Sequence, residues 1–154
     1  MTGSTQELSE LRDFAVDLAH EAGELTLGYF QQGIVVERKA DDSPVTQADR
    51  EAELLIRRRI SHAYPDDTIL GEEFETTSGH GARTWVIDPI DGTKSFIAGV
   101  PLYGVLIAVL TGSYEGGETD TDRVIVGVVH VPGLGETVAA ARGHGAVWTT
   151  DRKP

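Results

Sequence analysis

The order of its hydrophobic patterns constrains the fold of this chain more than any other feature. Apolar residues recur at three- and four-residue spacing from Leu8 to Tyr29 and again from Ala48 to Ala63, as on the buried face of an amphipathic helix. Ser4 and Glu7 have capping-box spacing before the first of these helices. Because several strand-like segments with few helical patterns between them follow, we predict an α+β fold, with two amino-terminal helices packed on a mainly antiparallel sheet.

The strand-like segments are short and are separated by glycine or proline. They comprise residues 34–36, 68–70, 84–87, 102–110, 124–131, 136–141 and 146–149. Residues 111–122 are polar and predict an exposed hairpin loop, and residues 143–146 predict a tight hairpin turn. The basic run Arg57-Arg58-Arg59 falls mostly on the far side of the second helix, which predicts a solvated surface.

Composition restricts the classes of function. With 154 residues the chain has the size of one domain, which we assign to residues 1–150 with residues 151–154 as a tail. The net charge of −12 argues against nucleic acid as a partner. The sequence has no cysteine, no apparent secretory signal, and no apolar run longer than residues 102–110, so we expect a cytoplasmic protein without a membrane partner.

Two acidic clusters follow predicted strands. Asp88 and Asp91 come after residues 84–87, and Glu72 comes after residues 68–70. Proline at position 89 should make the chain turn sharply after its strand, so that both aspartates and the carbonyl of Ile90 point to one side. Carboxylate and carbonyl oxygens are the ligands that Mg²⁺ prefers. The two strand ends therefore predict a site for hard divalent cations.

The same residues also have simpler interpretations. Asp91 could cap a helix after a tight turn, and Glu72 could be a surface acid beside an equally exposed Glu73. Asp49 has capping-box spacing from Thr46, which suits a helix start. Gly92 and Thr93 open a short helix whose free amides would face an anion such as phosphate. Lys39 could be a solvated loop cation, and Lys94 could meet a substrate or only water. The five histidines have no metal-ligand spacing.

Three motifs together resemble the inositol monophosphatase family of magnesium-dependent, lithium-sensitive phosphatases. They are Ser-Pro-Val-Thr-x-x-Asp at residues 43–49, Gly-Glu-Glu at 71–73, and the segment 85–96 with its Asp-Pro-Ile-Asp-Gly-Thr core. The resemblance continues to residues 143–146. Residues 93–102 are most similar to the histidinol-phosphatase branch of the family. The resemblance implies a layered α/β sandwich of the inositol-monophosphatase type.

The resemblance also implies a role for each matching residue. Glu72, Asp88 and the carbonyl of Ile90 would bind one Mg²⁺, and Asp88 and Asp91 would bind a second. Two or three ions per site are implied. Asp49, Thr93 and Glu72 would be the catalytic residues, the first two activating the attacking water. The phosphate-binding set would consist of Gly92, Thr93, Lys94 and Lys39.

The implied reaction is hydrolysis of a small phosphate monoester by a metal-activated water, with histidinol phosphate as the first choice and a role in histidine biosynthesis. Inositol 1-phosphate or another sugar phosphate is the alternative substrate, and a non-catalytic fragment is the alternative of another class. Family members are longer and carry a carboxy-terminal layer with a Trp-Asp motif, absent here. We therefore expect weak magnesium binding, little turnover and an uncovered sheet face in the isolated chain. Members also often form homodimers.

Overall fold

A computed structural model describes residues 4–112 and 123–151 of the chain. The helices are α1 (Thr5–Tyr29), α2 (Gln47–Ala63) and the short α3 (Thr93–Ile97). The strands are β1 (Val36–Arg38), β2 (Pro44–Thr46), β3 (Thr68–Leu70), β4 (Arg83–Asp91), β5 (Gly104–Thr111), β6 (Val124–Val131), β7 (Glu136–Ala141) and β8 (Ala146–Thr150). A 3-10 turn, Pro132–Leu134, links β6 to β7.

Strands β3 to β8 form one sheet in the order of the chain. The pair β3 and β4 is parallel, and every following pair is antiparallel. Strands β1 and β2 form a separate antiparallel ribbon that leads directly into α2. The predicted α+β fold with a mainly antiparallel sheet is therefore confirmed.

Helices α1 and α2 pack together on one face of the sheet and bury the apolar stripes that define them. The capping box at the start of α1 is present, with the Glu7 amide donating to Ser4 Oγ at 3.3 Å. Trp85 of β4 is fully buried, and its ring lies 5.8 Å from that of Phe14 and 5.5 Å from that of Tyr64. This aromatic cluster fixes the start of β4 against both helices.

The opposite face of the sheet carries a line of directly paired residues, one from each of five strands. In order across the sheet they are Asp88, Leu106, Val129, Val138 and Trp148. Val138 is 45% exposed and Trp148 is 70% exposed. A shallow cavity of about 370 Å³ lies on this face beside Asp88. The helices thus cover one face of the sheet, and the other presents apolar side chains to solvent.

Strand β4 differs from the prediction in a way that matters for the site. We expected a sharp turn at Pro89, and this was wrong: β4 continues to Asp91, with Pro89 and Ile90 inside it. The register with β5 shifts between Asp88 and Asp91. An irregularity of this kind removes the need for a ladder hydrogen bond from proline, which has no N–H.

Two other predictions need correction. The first strand is Val36–Arg38 rather than residues 34–36, because Val36 to Arg38 pair with β2 while Ile34 packs against the cluster around Phe96. Arg57 is not solvated but buried, because it pairs with the buried Glu53 one turn earlier on α2. The turn at residues 143–146 is confirmed between β7 and β8.

Part of the predicted loop 111–122 and of the predicted tail 151–154 lies outside the described residues, namely residues 113–122 and 152–154. Within residues 4–112 and 123–151, no helix is both long enough and apolar enough to cross a membrane.

Candidate active site

The parallel pairing of β3 and β4 brings the two acidic clusters together. The carboxyl ends of adjacent parallel strands meet at one edge of a sheet, and Glu72 follows β3 where Asp88 lies on β4. The carboxyl groups of Glu72 and Asp88 are close enough for each to influence the charge of the other. Burial, followed by the nearby negative charges of Glu72 and Asp91, raises the pKa of Asp88 to about 8. This edge of the sheet is thus an acidic pocket with a net excess of carboxyl groups.

The donor set of this pocket fits a hard divalent cation. Asp88 Oδ1 accepts a hydrogen bond from the Ile90 amide at 3.1 Å, which fixes the orientation of the carboxyl group, whereas Asp91 is exposed at the strand end. Among the described residues, no three acidic or histidine side chains converge on one ion position. Each implied magnesium site requires only two carboxylates, supplemented by carbonyl oxygen or water, and a bound cation would relieve the repulsion at Asp88.

Lys39 reaches into the same pocket from the turn between β1 and β2. Its Nζ lies 3.0 Å from Glu72 Oε1 and 2.7 Å from Glu73 Oε1. Burial lowers the pKa of Lys39, but its hydrogen bonds to Glu73 and Glu72 outweigh that effect and raise it. The expectation that Glu73 is as exposed as Glu72 was wrong: the side chain of Glu73 is 5% exposed and that of Glu72 is 46% exposed. Lys39 is a partly buried partner of the acidic loop rather than a fully solvated cation.

Asp49 contacts both the start of α2 and Thr93. Its Oδ2 accepts hydrogen bonds from the amide of Thr46 at 2.8 Å and from the hydroxyl of Thr46 at 2.5 Å, which is the capping arrangement at the start of α2. Its Oδ1 lies 3.3 Å from the hydroxyl of Thr93, which is also 3.1 Å from the carbonyl oxygen of Ile90. Burial raises the pKa of Asp49. One carboxylate thus holds the helix start and also faces the acidic edge.

The remaining predicted site residues lie where β4 leads into α3. Gly92 has a φ of +88°, a left-handed conformation that glycine adopts without steric cost, and it directs the chain into α3. Thr93 is the first residue of that helix, and Lys94 is exposed on it. Gly92, Thr93 and Lys94 therefore adjoin the carboxylates of β4.

Sequence reasoning missed a buried ion pair that lies behind this pocket. Glu53 of α2 is fully buried and forms an ion pair with Arg57 at 2.7 Å. The carboxylate of Glu53 also accepts hydrogen bonds from backbone amides of the loop that carries Glu72. The spacing of four residues between Glu53 and Arg57 was the available signal, because such a pair meets on one helix face.

Comparisons with known proteins agree with this architecture. The chain is 51% identical over 133 residues to a histidinol-phosphatase of Chlorobaculum parvum, covering 86% of this chain and 48% of that protein. It is 44% identical to a histidinol-phosphatase of Streptomyces coelicolor, covering 90% of this chain and 50% of that protein. The crystal structure of the extragenic suppressor protein suhB from Bartonella henselae matches with a TM-score of 0.81 and 30% identity, covering 94% of this chain and 53% of that one.

The chain spans about half the length of the curated relatives that it matches. The family model named inositol monophosphatase family matches residues 7–153, which include most of α1, the whole of α2 and α3, and all strands of the sheet. The three sequence motifs that resemble this family, residues 43–49, 71–73 and 85–96, contain the residues that lie at the acidic edge. The chain therefore belongs to the inositol monophosphatase family.

Proposed function

We propose that the protein hydrolyses a phosphate monoester with the help of Mg²⁺ and that histidinol phosphate is its substrate. The observation that carries the proposal is the parallel pairing of β3 and β4, which brings the carboxyl groups of Glu72 and Asp88 to one edge of the sheet, beside the Asp49–Thr93 pair. Two carboxyl groups this close repel each other unless a proton or a cation lies between them. The pocket is thus suited to a divalent cation.

Three carboxylates and one carbonyl would hold the metal. Glu72, Asp88 and the carbonyl of Ile90 would bind the first ion, and Asp88 and Asp91 would bind the second. Bound Mg²⁺ would neutralise charge on the phosphate group and lower the pKa of the attacking water. Unassisted hydrolysis of phosphate monoesters is extremely slow, so charge neutralisation and positioning must supply most of the acceleration.

The protein's own residues would supply the proton acceptor. The hydroxyl of Thr93 donates to Asp49 Oδ1, so Thr93 can accept a proton from water while it passes its own proton to Asp49. Burial raises the pKa of Asp49, which makes it a stronger base than an exposed aspartate. The reaction then releases the alcohol and inorganic phosphate, without a phosphorylated side chain.

The residues after β4 would bind the phosphate group of the substrate. The amides of Gly92 and Thr93 lie at the start of α3, where backbone N–H groups favour an anion. Lys94 follows them on the exposed side of α3, and Lys39 adds a positive charge next to Glu72. These groups offset the net negative charge of the acidic edge, which would otherwise repel a phosphate ester.

The choice of substrate depends on the relatives. The two histidinol-phosphatases share 51% and 44% identity with this chain across most of its length. We infer that the protein converts histidinol phosphate to histidinol and phosphate as a step of histidine biosynthesis in the cytoplasm. The family description favours inositol 1-phosphate as the second candidate substrate.

Phosphate release by the full-length protein tests the proposal. We expect Mg²⁺-dependent release, with a higher kcat/KM for histidinol phosphate than for inositol 1-phosphate. Equal or reversed preference would remove the substrate assignment. Absence of release from both esters would favour a non-catalytic protein.

Asp91→Asn should lower kcat/KM at least ~100-fold, because a lost metal ligand withdraws several kcal/mol of charge stabilisation. Glu75→Gln is the matched control, since Glu75 is an exposed acid of the same loop as Glu72. Full activity of Asp91→Asn would show that the acidic edge does not perform the reaction.

A further inference from the structure

Glu53 is fully buried on α2, yet its carboxylate has no direct place in the acidic pocket. Its Oε2 accepts hydrogen bonds from the amides of Glu72 at 3.0 Å and Glu73 at 2.7 Å. Its Oε1 accepts one from the amide of Phe74 at 3.3 Å. Three consecutive amides of one loop therefore converge on a single buried carboxylate, as they would on a bound anion.

Arg57 completes this arrangement from the next turn of α2. Its Nε donates to Glu53 Oε1 at 2.7 Å, which compensates the buried charge. Its two terminal nitrogens bind the far part of the same loop, the carbonyl of Phe74 at 3.2 Å and the hydroxyl of Thr77 at 2.9 Å. The Glu53–Arg57 pair thus contacts the loop at both its amide and its carbonyl groups.

The loop is also closed at its base and fitted tightly to Glu53. Thr77 pairs with Ile69 of β3 through two backbone hydrogen bonds of 2.9 Å. A Cβ placed on Gly71 would lie 2.0 Å from Glu53 Oε1, so a side chain at position 71 would displace the carboxylate. Gly71 is therefore required for the close approach of the loop to α2, and the backbone of Glu72 has little freedom.

We propose that Glu53 is a positioning residue: paired with Arg57, its buried carboxylate holds the backbone of Glu72–Phe74 so that the Glu72 side chain faces Asp88. This inference rests on the proposed metal-binding function. Glu53 would preorganise the site, because a Glu72 side chain that is already oriented loses less conformational freedom when a cation binds. Glu53 does not itself contact metal or substrate.

Glu53→Gln tests the inference with Mn²⁺ alone as the probe, followed by its electron paramagnetic resonance signal. Glutamine replaces one acceptor oxygen by an NH₂ group, which faces backbone donors and cannot bind them. We expect a Mn²⁺ affinity lower by about 10- to 100-fold, the usual range for residues that orient metal ligands. We also expect faster hydrogen exchange at the amides of residues 72–74 in the metal-free protein.

Two controls separate positioning from general stability. Ile60→Val removes one buried methyl group from the same helix, so it should lower Tm without changing Mn²⁺ affinity. Glu51→Gln makes the same chemical change on α2 at a side chain that binds Tyr29 and Gln47 instead of the loop. Its Mn²⁺ affinity should equal that of the parent.

Gly71→Ala disturbs the same contact from the loop side and should reproduce the Glu53→Gln result. An unchanged Mn²⁺ affinity in Glu53→Gln, or an equal loss in Ile60→Val, would overturn the inference. Hydrogen exchange of the parent needs no variant: rapid exchange at the amides of residues 72–74 would overturn it as well. If Asp88→Asn binds Mn²⁺ as tightly as the parent does, that result would instead contradict the proposed function.

Discussion

Asp88→Asn should stabilise the metal-free protein while it removes metal binding. The pKa of Asp88 is raised from 3.8 to about 8, so the folded protein disfavours the charged carboxylate that the unfolded chain carries at pH 7. The ordinary pKa of 3.8 lies about three units below pH 7. Keeping Asp88 out of its charged form at pH 7 therefore costs the folded protein on the order of 4 kcal/mol relative to the unfolded chain. Because Asp88 is partly exposed, solvent screening reduces this cost, and we expect a gain of about 2 kcal/mol in the variant.

The dependence on pH has a definite sign. A carboxyl group whose pKa is raised on folding adds nothing unfavourable below pH 3.8, and its cost grows as the pH rises from 3.8 to about 8. The stability difference between variant and parent should therefore be smallest near pH 4 and largest near pH 8. Asparagine keeps the oxygen that accepts from the Ile90 amide, so this contact should survive.

Equilibrium urea unfolding in EDTA and in excess Mg²⁺ measures both parts of the prediction. In EDTA the variant should have the higher free energy of unfolding. In Mg²⁺ the parent should gain stability by mass action and the variant should not. Asp17→Asn, at an exposed position of α1, is the control and should change stability by less than ~0.5 kcal/mol. A variant less stable than the parent in EDTA would refute the reasoning.

Three further predictions concern other parts of the chain. Burial and the neighbouring His20 lower the pKa of His130 from 6.5 to about 4. The contribution of neutral His130 to the free energy of unfolding should therefore be complete above pH 6.5 and fall by about 3 kcal/mol as the pH drops towards 4. Urea unfolding of the parent relative to His130→Gln should show this loss, and a constant difference would contradict it. Thr93→Val should lower kcat about 10²- to 10⁴-fold because the Asp49 relay is lost, whereas Thr93→Ser should keep most of the activity in the phosphate-release assay. The isolated chain should self-associate through its open sheet face, and size-exclusion chromatography should show less association for Val138→Lys; a compact monomeric parent would argue against this.

The elements of the fold were predictable because their patterns are local. The stripe of α1 and its Ser4–Glu7 cap need only residues within one or two turns, and both are confirmed. The strands from β3 onward are short apolar runs bounded by glycine or proline, and six of them occur near the predicted positions. Local chemistry therefore sufficed for the helices and the sheet.

The course of β4 was not predictable in the same way. Proline normally ends a central strand, and from sequence Pro89 indicated a turn. Pro89 lies inside β4 in the structure, because at the register shift against β5 no ladder hydrogen bond from its backbone nitrogen is needed. Such a shift depends on the neighbouring strand, which local patterns do not reveal.

Charged residues of α2 and of the acidic loop were misjudged for a related reason. Arg57 and Glu73 were expected at the surface, since isolated charges are rarely buried. Each is buried next to an opposite charge, Arg57 beside Glu53 and Glu73 beside Lys39. The second of these partners lies 34 residues away along the chain. Only the tertiary fold brings it within reach.

A crystal structure of the protein grown with Mn²⁺, using the anomalous signal of the metal, tests the central claim most directly. The account predicts an ion between the carboxylates of Glu72 and Asp88, in contact with the carbonyl of Ile90. Mn²⁺ bound only at other positions, with Glu72 and Asp88 turned away from each other, would contradict it.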